Sequence, residues 1–263
     1  MTALLPSPHD PRQNQLIASF SQDVFDRIFP HLELVAMPLG EVIYESGRKM
    51  NYIYFPTSAI ISLHYIMENG AMAEIAGIGR EGVHGVSLLM GENSTTSRAS
   101  VYSSGHGYRI QARLMMDEFN RAGQAMRILL RYTQSLISHI SQTAVCNRHH
   151  SVEQQLCRLL LQTLDRLPGN ELTMTQELIA GMLGVRREGI TETAGNLQRL
   201  GLISYRRGHI TILNRIGLES CACECYQVVR QEYRRLHGDT GSSTHRAVTR
   251  WNDIIPFPVN NCV

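Results

Sequence analysis

Apolar residues recur along this chain with two different periods, and the change of period divides it. From about Leu32 to Gln111 they alternate in short runs broken by Gly, Pro, Asn and Ser, as in LELVAMPLGEVIYESG, YIYFPTSAIISLHYI and MAEIAGIGREG. Such runs between turn signals predict many short strands, and hence a β-sandwich or roll. Ahead of them Ile17, Phe20, Val24, Ile28 and Phe29 mark a helix over 15–30. Beyond them the spacing turns helical. A long helix is expected from Leu114 or Ala125 to Asn147, in which Leu130, Thr133, Ile137, Ile140 and Ala144 recur at steps of three and four. That spacing gives a seam suited to a partner helix. RHHSVEQQLCRLLLQTLDRL predicts a further helix past a hinge near Arg148-His149-His150, with Ser151 to Gln154 in the form of a capping box.

Residues 172–212 carry the most specific pattern. A helix from about Thr175 to Leu183 has Leu178, Ile179, Met182 and Leu183 on one face, with Thr175 placed to cap it. Gly184 follows where a tight turn needs positive φ. A second helix, near Arg186 to Leu200, buries Ile190, Ala194 and Leu197. Glu188, Glu192 and Arg199 then point the opposite way, with Arg187 and Thr191 on the flank. LISYRRGHITIL alternates around Arg207-Gly208 and predicts a two-stranded hairpin with Arg206 and Arg207 at its tip. Helix, turn, helix and wing together read as a device for the DNA major groove, led by the N-terminal end of the second helix. Arg187 can bond guanine O6 and N7, and Glu188 can accept from cytosine N4.

This stretch resembles the C-terminal domain of the cyclic-AMP receptor protein / fumarate-nitrate regulator (CRP/FNR) superfamily. The core of the family's recognition helix is Gly, two residues, then Arg-Glu, here Gly184-Val185-Arg186-Arg187-Glu188. Arg186 stands where the family often has a capping Ser, and Glu192 where it often has a basic residue, so no known target sequence carries over. The resemblance implies an α+β chain: a cyclic-nucleotide-binding-like β-roll over 15–120, a dimerisation helix over 121–148, and a winged helix-turn-helix over 149–220. A C-terminal helix over 221–236 and a disordered tail over 237–263 complete the expectation. MPLGEVIYESG fits the roll's early turn and GREGVHGVSLLMGENSTTSRASVYS its phosphate-binding segment. Nucleotide-binding members hold the ribose with a Glu after Gly and the phosphate with an Arg some ten residues on. Here Gly85 is followed by Val86, and Arg98 is the remnant of the phosphate end. Binding of a cyclic nucleotide is therefore not expected, and Arg98 is read as a solvated strand-edge charge ahead of a phosphate contact.

Charge is partitioned. Residues 1–118 carry 8 Lys/Arg against 12 Asp/Glu, and residues 119–263 carry 17 against 11. The basic half contains the groove-reading pattern, as phosphate binding favours. No apolar run reaches a membrane span and the N-terminus lacks a secretory pattern, so a cytoplasmic protein is expected, bacterial if the resemblance holds. Six uneven cysteines do not suggest a disulfide framework. The one cluster, Cys221-Ala-Cys-Glu-Cys225, is read as buried thiols on a helix, with metal binding by Cys221, Cys223 and Cys225 as the lesser alternative. His139, His149 and His150 are read as solvated or hinge residues rather than ligands. Met115-Met116 is read as core.

The expected function is a homodimeric, sequence-specific regulator, independent of cyclic nucleotide and without a cofactor. Its partners are double-stranded DNA, a second copy of itself and, as a further candidate, RNA polymerase. The DNA-facing residues would be Thr175, Arg186, Arg187, Glu188, Thr191, Glu192, Arg199, Arg206 and Arg207. The alternative is a sensor of the same family answering a cyclic nucleotide or another small ligand. A nucleotide-binding module with a degenerate tail fits less well, because the recognition helix is intact and the nucleotide motif broken. No hydrolase elbow, Walker loop or H-E-x-x-H motif is present, so an enzyme is not expected.

Overall fold

The computed structural model describes residues 9–238. Of the expected tail, 237–263, the first two residues end the last helix, which runs to Gly238, and the rest lies outside the described residues. The first helix is not continuous: α1 (Gln15–Ala18) and α2 (Gln22–Ile28) are separated by Ser19–Ser21, and a single 3-10 turn, Phe29–His31, follows. Asn14 caps α1 from a buried position, while its amide donates to the carbonyls of Pro56 and Gly82. That anchorage fixes the start of α1 on the roll.

Seven strands follow: β1 (Glu33–Met37), β2 (Val42–Tyr44), β3 (Tyr52–Pro56), β4 (Ile60–Ile66), β5 (Met72–Ile78), β6 (Arg98–Ser103) and β7 (Gly105–Gln111), with the short helix α3 (Val86–Leu89) between β5 and β6. They form two antiparallel sheets, ordered β1-β7-β3 and β2-β6-β4-β5. Alternation is what lets each sheet bury one face, with Ile53, Phe55, Ile61, Val101 and Ile110 inside.

The expected long helix is α5 (Gln124–His149), close to the start at Ala125, and the earlier start at Leu114 falls in a separate helix, α4 (Ala112–Asn120). They part at Ala122, whose φ of 56° no α-helix accommodates. Met115 is fully buried, as its reading as core requires. The inward face of α5 buries Leu129, Tyr132, Leu136, His139 and Cys146. Leu130 and Ile137 remain 48 and 49 % exposed and Ala144 is exposed, while Thr133 and Ile140 are half-buried. His139 is therefore not solvated: it is buried, 3.3 Å from the Tyr233 hydroxyl, and burial holds its pKa well below the usual value.

Chain direction changes at His150, which is extended, and α6 (Val152–Arg166) starts with the reciprocal Ser151–Gln154 capping box. The next elements are β8 (Glu171–Thr173), α7 (Gln176–Leu183), α8 (Arg187–Arg199), β9 (Ile203–Arg206), β10 (His209–Ile212), α9 (Arg215–Cys221) and α10 (Cys225–Gly238). The wing is three-stranded, not two-stranded. Glu171–Thr173, ahead of the first helix of the motif, contributes β8, giving the order β8-β10-β9. Nor is the cysteine cluster on one helix, because α9 ends at Cys221 and α10 begins at Cys225. One core joins the roll to the last domain: Ile60 and Tyr102 pack with Leu156, Leu160 and Leu164 of α6. No helix among the described residues is long and apolar enough to cross a membrane.

Candidate nucleic-acid interface

The two helices of the reader are set by local chemistry. The Thr175 hydroxyl accepts the Leu178 N–H at 3.1 Å and so caps α7. Gly184, at φ 66°, closes α7 in the left-handed conformation that a side chain would resist. Ile179, Met182, Leu183, Ile190, Ala194 and Leu197 then bury the facing sides of α7 and α8. Arg186 is the N-cap residue of α8 but makes no side-chain cap bond, so its guanidinium is left to point elsewhere.

Burial on one side decides exposure on the other. Thr175, Arg186, Arg187, Glu188, Thr191, Glu192, Arg199, Arg206 and Arg207 are all exposed. The structure gathers most of them. Thr191 lies one turn beyond Arg187, and its hydroxyl donates to Gln176 Oε1 of α7 at 2.8 Å, which ties the starts of the two helices together. The wing folds back on the same end: the Tyr205 hydroxyl donates to the Met174 carbonyl at 2.8 Å. Tyr205 is half-buried, and burial pushes its pKa up to about 12 against the opposing effect of the Arg187 charge. Arg207 and Gly208 both have positive φ, 52° and 84°, which makes a tight hairpin turn with Arg206 and Arg207 at the tip. Arg199 stands apart. It lies twelve residues along α8, roughly 18 Å at 1.5 Å per residue, and donates to Asn196.

Electrostatics favour an anion here. Among the described residues no carboxylate forms an ion pair with Arg186, Arg187, Arg206 or Arg207. Four unpaired cations on one end of a small domain give a local field suited to phosphate.

The roll presents a different picture. Val86 opens α3 and packs against the apolar core, so its position offers no oxygen. Arg98 at the start of β6 is paired with Glu45, Nη2 to Oε1 at 3.0 Å. Glu81, in the segment expected to bind phosphate, is instead 2.7 Å from Arg166 of α6. A cavity of about 600 Å³ lies elsewhere, between the Arg80–Glu81 turn, α6 and α10. Sequence reasoning missed Glu45 and Glu81 as partners, because neither pairing is local in the chain. It also missed Tyr205 and Gln176 as supports of the reader.

Comparison with known proteins agrees with this geometry. Residues 154–221 match the model of the Crp-like helix-turn-helix domain. Solved structures share the fold over most of the chain. One, from Eubacterium rectale and assigned to the CRP/FNR family of transcriptional regulators, is 18 % identical with a TM-score of 0.63, covering 80 % of this chain and 98 % of that one. FixK2 from Bradyrhizobium japonicum is 16 % identical, TM-score 0.64, over 73 % and 98 %. CLP from Xanthomonas campestris, a global regulator responsive to c-di-GMP, is 16 % identical, TM-score 0.58, over 73 % and 99 %. At such identities the likeness is one of fold. No curated protein matches the chain by sequence. Roll, long helix and Crp-like helix-turn-helix domain together give this chain the fold of the solved CRP/FNR-type regulators.

Proposed function

We propose that this chain binds its operator as a homodimer, reads bases through Arg187 and Glu188, and needs neither cyclic AMP nor cyclic GMP to do so. The observation that carries the reading is the unpaired arginine cluster at the start of α8 beside the wing tip. Arg187 and Glu188 supply base contacts in the major groove. Thr191 and Glu192 lie one turn deeper. Thr175, Arg186, Arg206 and Arg207 meet phosphates, and Arg199 reaches the backbone at the far end.

A two-fold operator calls for two readers. Leu130 and Ile137, half exposed along α5, with Thr133, Ile140 and Ala144 beside them, support this helix as the seam that a second copy covers. Nucleotide independence is supported by the apolar Val86 and by the commitment of Arg98 to Glu45. In this reading the chain works in the cytoplasm by binding rather than by catalysis, with RNA polymerase as the partner that converts operator occupancy into transcription.

Genome-wide mapping of bound sites supplies an operator, and gel shifts on it with and without each cyclic nucleotide test the reading. The expected result is nanomolar, salt-sensitive binding unchanged by either nucleotide. Tightening of DNA binding by micromolar nucleotide contradicts it. A small-ligand sensor is the second reading. The roughly 600 Å³ cavity favours it, because Arg80, Arg230 and Arg234 line that cavity beside Tyr226 and Tyr233 at the joint between roll and reader.

A further inference from the structure

Two pieces of chain, 77 residues apart at Cys146 and Cys223, meet through sulfur. Cys146 lies in the last turn of α5, and His150 is the extended residue that ends the helix. Cys223 sits in the link between α9 and α10, and Cys225 begins α10. The Sγ atoms of Cys146 and Cys223 are 3.5 Å apart, and Cys225 Sγ is 3.4 Å from His150 Nδ1. All four donor atoms lie within 4.8 Å of one another.

We propose that Cys146, His150, Cys223 and Cys225 hold a zinc ion in a closed structural site. The donor set and its size both fit. Zinc bonds of about 2.3 Å to sulfur and about 2.0–2.1 Å to nitrogen, arranged tetrahedrally, set donor separations of roughly 3.4–3.8 Å. The observed 3.4 and 3.5 Å fall in that range. All three cysteines are buried and His150 is largely so, which suits a four-protein-ligand site closed to solvent. A single ion is favoured over an iron–sulfur cluster, because the four donors converge on one point rather than forming two separated pairs.

The surroundings match a ligand site better than an apolar thiol cluster. The three cysteines form a buried group of their own, not joined to the larger apolar cores. His150 Nε2 lies 3.3 Å from Glu224 Oε2, which would fix the ring and leave Nδ1 as the metal ligand. Gln142 Nε2 donates to Cys225 Sγ at 3.1 Å, and Gln155 Nε2 donates to the His150 carbonyl at 2.9 Å. A disulfide does not account for the geometry. At 3.5 Å the Cys146 and Cys223 sulfurs are far beyond the ~2.05 Å of a bond, and a disulfide would give His150 no role. The sequence expectation of no metal, with Cys221, Cys223 and Cys225 as the lesser alternative, is replaced by a set that omits Cys221 and draws two ligands from the end of α5.

The ion would bolt the chain at its hinge. His150 is where α5 ends and the chain turns into α6, and Cys223 and Cys225 join the last two helices. Zinc would therefore fix the angle between the long helix and the reader, independently of which DNA the reader prefers.

Metal analysis of the full chain, purified without chelator, is the test. The expected result is one zinc ion per chain, a loss of at least tenfold in Cys223→Ser and Cys225→Ser, and no loss in Cys157→Ala, a buried thiol elsewhere. Should the Ser variants fail to fold, the wild-type protein stripped and reloaded with cobalt(II) gives an independent readout. The intense visible bands of tetrahedral cobalt with thiolate charge transfer are expected. Substoichiometric zinc together with octahedral, weakly coloured cobalt would overturn the site, as would iron with inorganic sulfide or full zinc retention in both Ser variants.

Discussion

Arg166 Nε lies 2.7 Å from Glu81 Oε1, in a pair that joins α6 of the reader to the turn after β5 of the roll. Arg166 is buried, and its other nitrogens donate to the carbonyls of Gly77 at 2.9 Å and Gln162 at 3.2 Å. Gly79 leaves room for it: a Cβ there would sit 2.8 Å from the arginine stem. The Glu81 charge holds the Arg166 guanidinium above its ordinary pKa despite burial. The two domains therefore meet through a fixed charge rather than a loose linker.

Removing one partner of that pair leaves the other charged and buried. Glu81→Ala is expected to cost about 3–5 kcal/mol in urea unfolding, whereas Glu81→Leu with Arg166→Met should cost much less. Equal losses in the single and double variants would show that the pair is not what holds the joint.

The dimer seam can be tested more cleanly than the sequence pattern suggests. Ile140 is half-buried against the roll's core, so a charge there damages the monomer as well. Leu130 and Ile137 are half exposed. Leu130→Asp with Ile137→Asp should leave monomer stability within about 1 kcal/mol and yield monomers in sedimentation, with operator binding greatly weakened. Dimers that survive this double substitution would place the interface elsewhere.

Acid should loosen the roll. Burial lowers the pKa of His84 to about 4, and lowers those of His64 and His139 as well. A folded-state pKa below the unfolded value near 6.5 gives stability that is present above pH 6.5. That stability is lost as pH falls through the folded-state value, for His84 between about 6.5 and 4. His84 should contribute on the order of 3 kcal/mol to this slope. Denaturant unfolding at pH 7, 5.5 and 4.5 should show a steep fall in the wild type and a shallower one in His84→Phe. Parallel slopes would remove His84 from the account.

Local pattern made the reader legible. Thr175, Gly184, the Ser151–Gln154 box and the spacing of Ile190, Ala194 and Leu197 each act within a few residues, and each is found in place. The roll's strands were legible for the same reason. Non-local pairing was not. Glu81 with Arg166 and Glu45 with Arg98 join positions tens of residues apart. β8 was hidden because LPGNEL is rich in turn formers and pairs only through β10. Cys146 and His150 have ligand spacing one helical turn apart, a signal that lay in the sequence. It was masked because the visible cluster, Cys221 to Cys225, was read on one continuous helix.

The wing tip separates charge from backbone strain. Arg207 has a φ of 52°, so alanine there would add a conformational cost, while glycine removes the charge and keeps the turn. Arg206→Ala with Arg207→Gly should weaken binding to all DNA sequences alike. It should also flatten the dependence of log K on log salt, by about 0.9 for each phosphate that a reader no longer neutralises. An unchanged salt slope would take the wing off the DNA backbone.

Base reading by Arg187 is the central claim, and selection from a randomised DNA pool by wild type and Arg187→Ala tests it directly. Arg187 is exposed at the first turn of α8, so its truncation should leave the fold intact. The variant should lose about 1–3 kcal/mol on the wild-type operator and accept other bases at one position in each half-site, with preferences elsewhere preserved. A variant that selects the same sequences with the same affinity would contradict the assignment of α8 as the helix that reads the groove.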